Sequence, residues 1–402
     1  MLEVVAGVWI VAEVCFIWST AWRYGKKLPN KSHLPDIDET VYNQVLTEIC
    51  NTNSVTDPKS FIEGWFFGKD ISEIGREDIL EWIAGMFFNK TTELDENQQL
   101  LVLDALEQME ARLGHRFEEK ERKVDKMLLT CDSVNMLFRP MAFYASIRGF
   151  DFYVQMKLWR INFVYNKESG MVSYFRRGTS TKPNIVFFHG IGIGVAAYIR
   201  FINALVKRFP KRTIILFEMP SIAMKLNLSY CLPKEYSEKV ASRLNELGLR
   251  NNILIGHSLG TMCIRWMDLY YPELVQARIF IDPVCFALWT HHIAKNYIYR
   301  DPKTIGERVM LYLTAMEPGI ATYLRRYFVW FENTYFSSHL PKNASIFLAE
   351  KDEIVDSMYV KDYLYRHSEE GRNVSIVNDA THGQMMLAGC YNDIFNDIIS
   401  FI

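Results

Sequence analysis

A mostly parallel, doubly wound α/β sheet behind an N-terminal helical region is predicted for this chain of 402 residues by three observations. Short apolar runs alternate with helix-prone stretches from about residue 160 onward, and such alternation builds a parallel sheet with helices on both faces. One run, Ile253-Leu254-Ile255, passes through Gly256-His257-Ser258-Leu259-Gly260 into a helix-like stretch, Thr261 to Tyr271, which places a serine at the apex of a strand-turn-helix. Three polar groups, Asp282, Asp352 and His382, stand at or just beyond the ends of later apolar runs, the edge of a parallel sheet where functional side chains gather.

The elements follow in order. Met1 to Trp22 is almost wholly apolar and, at about 1.5 Å per residue, approaches the hydrocarbon thickness of a bilayer. Residues 1–27 are therefore expected to be a membrane anchor, either a transmembrane helix or one lying in the interface. Arg23, Lys26 and Lys27 follow the run and Glu3 precedes it, the reverse of a secretory signal, which predicts a cytoplasmic-facing catalytic domain. Glu13 opposes a spanning helix, since a mid-helix acid costs roughly 2.5 to 3.5 kcal/mol on insertion scales.

Residues 28–160 read as a helical accessory region. Val102, Leu106, Met109 and Leu113 line one helical face. From Met136 to Trp159, aromatics alternate with Arg139, Arg148 and Lys157, a mixture that suits a membrane interface and a packed helix equally. In residues 161–402, strands are expected near Arg160–Tyr165, Met171–Arg176, Asn184–Phe188, Thr213–Phe217, Ile253–Ile255, Ala277–Asp282, Ser345–Ala349 and Val374–Val377, with helices over Val195–Phe209 and Lys234–Leu247. Residues 285–342 interrupt the alternation with helix-prone, aromatic-rich sequence; an insertion at that point would overhang the serine as a lid.

The chemistry converges on Ser258. Glycines on either side permit the strained turn that lifts a serine hydroxyl above a sheet. Upstream, His189-Gly190-Ile191-Gly192-Ile193-Gly194 follows a strand-like run, where backbone N–H groups of Ile191 or Gly192 could join that of Leu259 as an oxyanion hole. His382 is the candidate base and Asp352 the candidate acid, with Asp282 as the alternative acid. The chain order serine, acid, histidine and the three strand ends suit one architecture. On these residues the stretch from about Asn162 to Ile402 resembles the α/β-hydrolase superfamily of serine hydrolases. A narrower resemblance, to uncharacterised membrane-anchored α/β-hydrolases of fungi, extends upstream through Gly64-Trp65-Phe66-Phe67-Gly68 and Asn135-Met136-Leu137-Phe138-Arg139-Pro140. Glu350 departs from the superfamily pattern, which often has glycine two residues before the acid.

The anchor, the aromatic lid and the Ser-His-Asp catalytic triad together suit a membrane-associated, lipase-like carboxylic ester hydrolase that forms an acyl-enzyme with a lipid or small ester, lipid-like above all. An acyltransferase with the same triad and a non-catalytic binding protein of the same fold are the alternatives. Serine rather than aspartate at the elbow disfavours an epoxide hydrolase. The net charge of -2 gives no field suited to a nucleic-acid backbone. Seven dispersed cysteines, with no C-x-x-C pair, read as reduced thiols and not as a metal site, and adjacent His291 and His292 point apart on a helix. No metal and no cofactor is expected.

Overall fold

The structure is a computed structural model that describes residues 2–27, 34–50, 57–180, 183–227, 229–366, 373–389 and 391–401, without the side chains of residues 2–6 and 27. Of the residues read above, Met1 and one of the seven cysteines, Cys390, lie outside them, as do the side chains of Glu3 and Lys27. Eight strands form one sheet in the order β1-β2-β4-β3-β5-β6-β7-β8: β1 (Val164–Glu168), β2 (Met171–Arg176), β3 (Asn184–Phe188), β4 (Ile214–Glu218), β5 (Asn252–His257), β6 (Val275–Ile281), β7 (Ala344–Ala349) and β8 (Asn373–Val377). The pairings of β1 with β2 and of β2 with β4 are antiparallel; all others are parallel. This is the α/β-hydrolase fold, a mostly parallel sheet behind a helical N-terminal region.

Alternation along the strands divides the core in two, because successive side chains of a strand point to opposite faces. Ile185, Phe187, Ile253, Ile255 and Ile279 pack on one face; Val186, Phe188, Leu254, Phe280 and Ile346 pack on the other. Both faces are covered, so β5 is buried along its whole length, which is why it reads as a continuous apolar run.

The helices preceding the sheet are α1 (Leu2–Lys27), α2 (Glu39–Cys50), α3 (Pro58–Trp65), α4 (Arg76–Phe88), α5 (Glu96–Leu113) and α6 (Met141–Arg160). Local chemistry sets the ends of α5: Asp95 and Gln98 form a capping box and Gly114 closes the helix in the left-handed region. Its predicted face is buried at Val102, Leu106 and Met109. Within the sheet domain follow α7 (Ile199–Arg208), α8 (Pro233–Glu246), α9 (Gly260–Tyr270), α10 (Ile305–Leu313) and α11 (Pro318–Arg326).

Two expectations are corrected here. The first strand starts at Val164 and not near Arg160, because α6 continues to Arg160 and buries Val154 and Leu158, an i, i+4 pair, on the core. The transmembrane helix read over Met1 to Trp22 is also revised: among the described residues no helix is long and apolar enough to cross a membrane. The reason lies in the polar residues of α1. The Met141 amide donates to Glu13 Oε2 at 2.7 Å, and Thr20 and Tyr24 are buried against the protein.

The predicted lid is continuous with the rest of the core. Trp330 Nε1 donates to the carbonyl of Met86 at 2.7 Å, and Trp266 Nε1 donates to Asn333 Oδ1 at 2.8 Å. Accessory residues such as Trp65, Trp82 and Leu106 lie in the same apolar cluster as Trp289, Phe336 and Leu348. The accessory glycine of the Gly64-Trp65 pair has a steric reason: a Cβ at Gly64 would sit 2.1 Å from the His291 ring.

Candidate active site

Ser258 sits between β5 and α9 with φ 52°, a left-handed conformation that a non-glycine residue adopts only when its surroundings enforce it. Here a Cβ on Gly260 would lie 2.3 Å from the Phe188 carbonyl oxygen, so a side chain at that position would force α9 away from β3. The geometry then brings three predicted residues together. His382 Nε2 lies 2.9 Å from Ser258 Oγ, and His382 Nδ1 lies 2.7 Å from Asp352 Oδ2. Asp352 is immobilised through its other oxygen, which accepts from the amides of Ile354 at 2.8 Å and Val355 at 2.9 Å. Burial would push the His382 imidazole below its ordinary range, but the hydrogen bond and charge of Asp352, aided by Asp282 and Glu353, hold it above.

Asp282 does not reach His382 with a hydrogen bond. Its Oδ2 accepts from the Gly383 amide at 2.7 Å and so steadies the loop carrying the histidine, while its Oδ1 is buried without a partner. Glu350, where the resemblance suggests glycine nearby, accepts from the Asp379 amide at 2.8 Å. It links the loop after β7 to the loop after β8, and therefore Asp352 to His382.

The oxyanion candidates separate. The Gly192 amide is engaged by the Ile222 carbonyl at 3.1 Å, which corrects the expectation that it serves as a donor. Among the described contacts no protein acceptor engages the amides of Ile191 and Leu259, and both residues line the cavity beside Ser258. Gly190 permits this closeness, since a Cβ there would stand 2.8 Å from Ser258 Cβ. His189 holds the strip in place: its Nδ1 faces the Gly190 carbonyl at 2.6 Å and its Nε2 accepts from the Met219 amide at 3.0 Å. Burial pushes its imidazole down to about 4, so it stays neutral.

His257, beside the serine in the turn, has a polar role that its place in the sequence does not announce. Tyr198 Oη accepts from the Gly190 amide at 3.0 Å and lies 2.7 Å from His257 Nδ1. His257 Nε2 is 3.5 Å from Asp282 Oδ2, too long for a good hydrogen bond. Burial lowers the His257 pKa, and through Tyr198 the ring holds the strip at Gly190. Tyr198 stands ten residues beyond a strand in an unremarkable stretch, and no local pattern marks it.

Above Ser258 lies a cavity of about 330 Å³. Its walls are apolar: Tyr297, Met310, Phe328 and Trp330 come from the 285–342 segment, and Trp65 and Leu129 come from the accessory region. Ligand atoms of Asp282, Asp352 and His382 lie within 4.8 Å of one another, but His382 and Asp352 spend theirs on each other and on Ser258, leaving no ligand set that a metal requires.

Residues 183–351 match the model of the alpha/beta hydrolase fold family. That stretch is similar to the α/β-hydrolases. It contains the Ser258 elbow and the 189–194 strip but ends before Asp352 and His382, which are placed by geometry alone. No curated protein matches the chain. Among solved structures the chain is similar to the carboxylesterase CesB of Bacillus subtilis, at 15% identity and TM-score 0.44 over 64% of this chain and 97% of that one. It is similar also to an alpha/beta hydrolase enzyme, MGS-MChE2, from the metagenome of Mar Chica lagoon sediments, at 16% identity and TM-score 0.43 over 59% and 98%. A third likeness is to a bacterial membrane phospholipase A, at 15% identity and TM-score 0.42 over 65% and 90%.

Proposed function

We propose that this protein is a serine carboxylic-ester hydrolase of the α/β-hydrolase fold, for substrates with an apolar, lipid-like acyl group. The observation that supports the reading best is the hydrogen-bonded series Ser258, His382, Asp352 at the base of an apolar cavity. In this mechanism His382 Nε2 takes the hydroxyl proton as Ser258 Oγ attacks the ester carbonyl, and Asp352 stabilises the imidazolium. The amides of Leu259 and Ile191 receive the oxyanion, at roughly 3 to 4 kcal/mol per donor. Collapse releases the alcohol, which takes its proton from His382, and leaves an acyl-serine. Water then gives a proton to His382 and attacks the acyl carbon, and the acid departs as the proton returns to Ser258. Turnover of a lipid-ester panel together with fluorophosphonate labelling tests this reading; a chain that neither labels nor hydrolyses any ester overturns it.

Chain-length preference should reside in the cavity wall. Excising residues 285–342 cannot test this, because that segment carries Trp289, Trp330 and Phe336 of the main core. Met310 is partly buried on α10 and lines the cavity. Met310→Trp should therefore lower turnover of long-chain esters about tenfold or more while short esters change little, since each buried CH₂ contributes about 0.8 kcal/mol of binding. Equal loss across the series would move the acyl site elsewhere.

The catalytic domain in this reading faces the cytoplasm. Arg23 and Lys26 follow the apolar run of α1, suiting the anionic cytoplasmic leaflet; Cys50, Cys131, Cys231, Cys263 and Cys285 are free thiols, as in a reducing compartment. N-glycosylation acceptors serve as reporters, though not all equally. Asn89 is buried at the left-handed end of α4 and bonded to Thr130, whereas Asn373 is exposed. Gel mobility of protein from eukaryotic membranes should be unchanged by endoglycosidase; a downward shift would place the domain in a lumen.

A further inference from the structure

The amphipathy of α1 is inverted relative to that of a water-facing helix. One stripe, Glu13, Phe16, Thr20 and Tyr24, turns toward the protein: Glu13 accepts the first amide of α6, the Phe16 ring lies 6.0 Å from that of Tyr144, and Thr20 and Tyr24 are buried. The opposite stripe, Val11, Val14, Trp18 and Trp22, is 62%, 61%, 70% and 51% exposed. These side chains recur at i, i+3 and i+4, so they form one continuous apolar strip. On α6, Tyr144, Val154 and Leu158 are buried while Phe152, Tyr153 and Trp159 are 66%, 51% and 67% exposed. Exposed aromatics concentrated on two touching helices mark an interaction surface.

Charge identifies what the surface meets. The described carboxylates of the two helices are both consumed inside, Glu13 by the Met141 amide and Asp151 by Lys225 at 2.7 Å. The exposed charges of these helices are the cations Arg23, Lys26, Arg148 and Arg160. Lys26 Nζ stands 4.2 Å over the Trp22 ring and Lys157 Nζ 5.3 Å over the Tyr153 ring, pairing a cation with an amphipathic aromatic as at a lipid headgroup boundary. We propose that α1 and α6 form one in-plane platform that seats the enzyme on an anionic lipid surface. The Glu13 contact keeps α1 on the body of the protein, so it lies in the interface. The proposal names the source of the substrate and rests on the lipid-ester reading, but its test is separate from that reading.

The test uses the full chain and phosphatidylcholine vesicles with and without phosphatidylserine. The chain should float with the phosphatidylserine vesicles and bind pure phosphatidylcholine less. Trp18→Ser combined with Trp22→Ser, and separately Phe152→Ser combined with Trp159→Ser, should each lower binding at least about tenfold. Arg23→Gln with Lys26→Gln and Arg160→Gln should remove the preference for phosphatidylserine. Turnover of a short, water-soluble ester should stay unchanged in all three, which shows that they fold; wild-type chain that binds vesicles but cleaves no ester would fail the hydrolase reading alone. Alkaline carbonate should release the chain from membranes. Undiminished flotation in both aromatic pairs, retention after carbonate, or a wild-type dimer that the aromatic substitutions dissociate would each overturn the proposal, the last by assigning the face to a second copy.

Discussion

Ser258→Ala is expected to abolish fluorophosphonate labelling and to lower ester turnover by roughly four to six orders of magnitude, as loss of a triad nucleophile does elsewhere. Oγ is the atom that would form the covalent bond, and His382 Nε2 faces it at 2.9 Å. The fold should survive. Alanine keeps the Cβ, so the left-handed turn at φ 52° is no more strained than with serine. The Ser258 amide bond to the Ile281 carbonyl at 2.9 Å is independent of the hydroxyl. Circular dichroism and thermal melting of the purified variant should match wild type. Wild-type labelling of the variant would remove Ser258 from the mechanism.

The second large effect concerns the acid. Asp352→Asn should reduce kcat by roughly four orders of magnitude, because an amide facing Nδ1 favours the wrong imidazole tautomer and removes the charge that stabilises imidazolium. Asp282→Asn should cost about tenfold or less, since the amide oxygen can still accept from the Gly383 amide and at most one hydrogen bond is weakened. The pH profile distinguishes the two further. A general base acts when neutral, and the His382 pKa is held above the ordinary imidazole value of about 6.5. Activity should therefore rise with pH through an acidic limb lying above that value. Burial lowers this pKa and Asp352 raises it, so the residual activity of Asp352→Asn should show its limb at lower pH. Asp282→Asn should move it the same way by less. The reverse ranking in kcat would make Asp282 the acid.

Sequence alone determined the parts of this protein whose cause is local. The Ser258 elbow is a strand, a turn and a helix contained in a score of residues, and glycine at 256 is required by the turn itself, since a Cβ there would lie 2.6 Å from the Gly260 carbonyl oxygen. Apolar runs marked the parallel strands because a strand buried on both faces has little room for polar side chains. Asp352 and His382 were legible as strand-end groups, one strand apart.

Only tertiary structure decided the rest, where the deciding partner is distant in the chain. Gly192 looked as good an oxyanion donor as Ile191 until the Ile222 carbonyl claimed its amide. Glu13 reads as a defect in a membrane helix, yet it accepts the first amide of α6, 128 positions away. Trp65, in an accessory region with no chemical motif, lines the cavity over Ser258 because Gly64 lets the chain approach the His291 ring. His257 gained a hydrogen-bonded partner in Tyr198 that no spacing rule pairs with it. A backbone donor or buried side chain is a candidate wherever it occurs, and which acceptor or cavity it meets is set by how the helices close over the sheet; periodicity reports which face is buried and not what it is buried against.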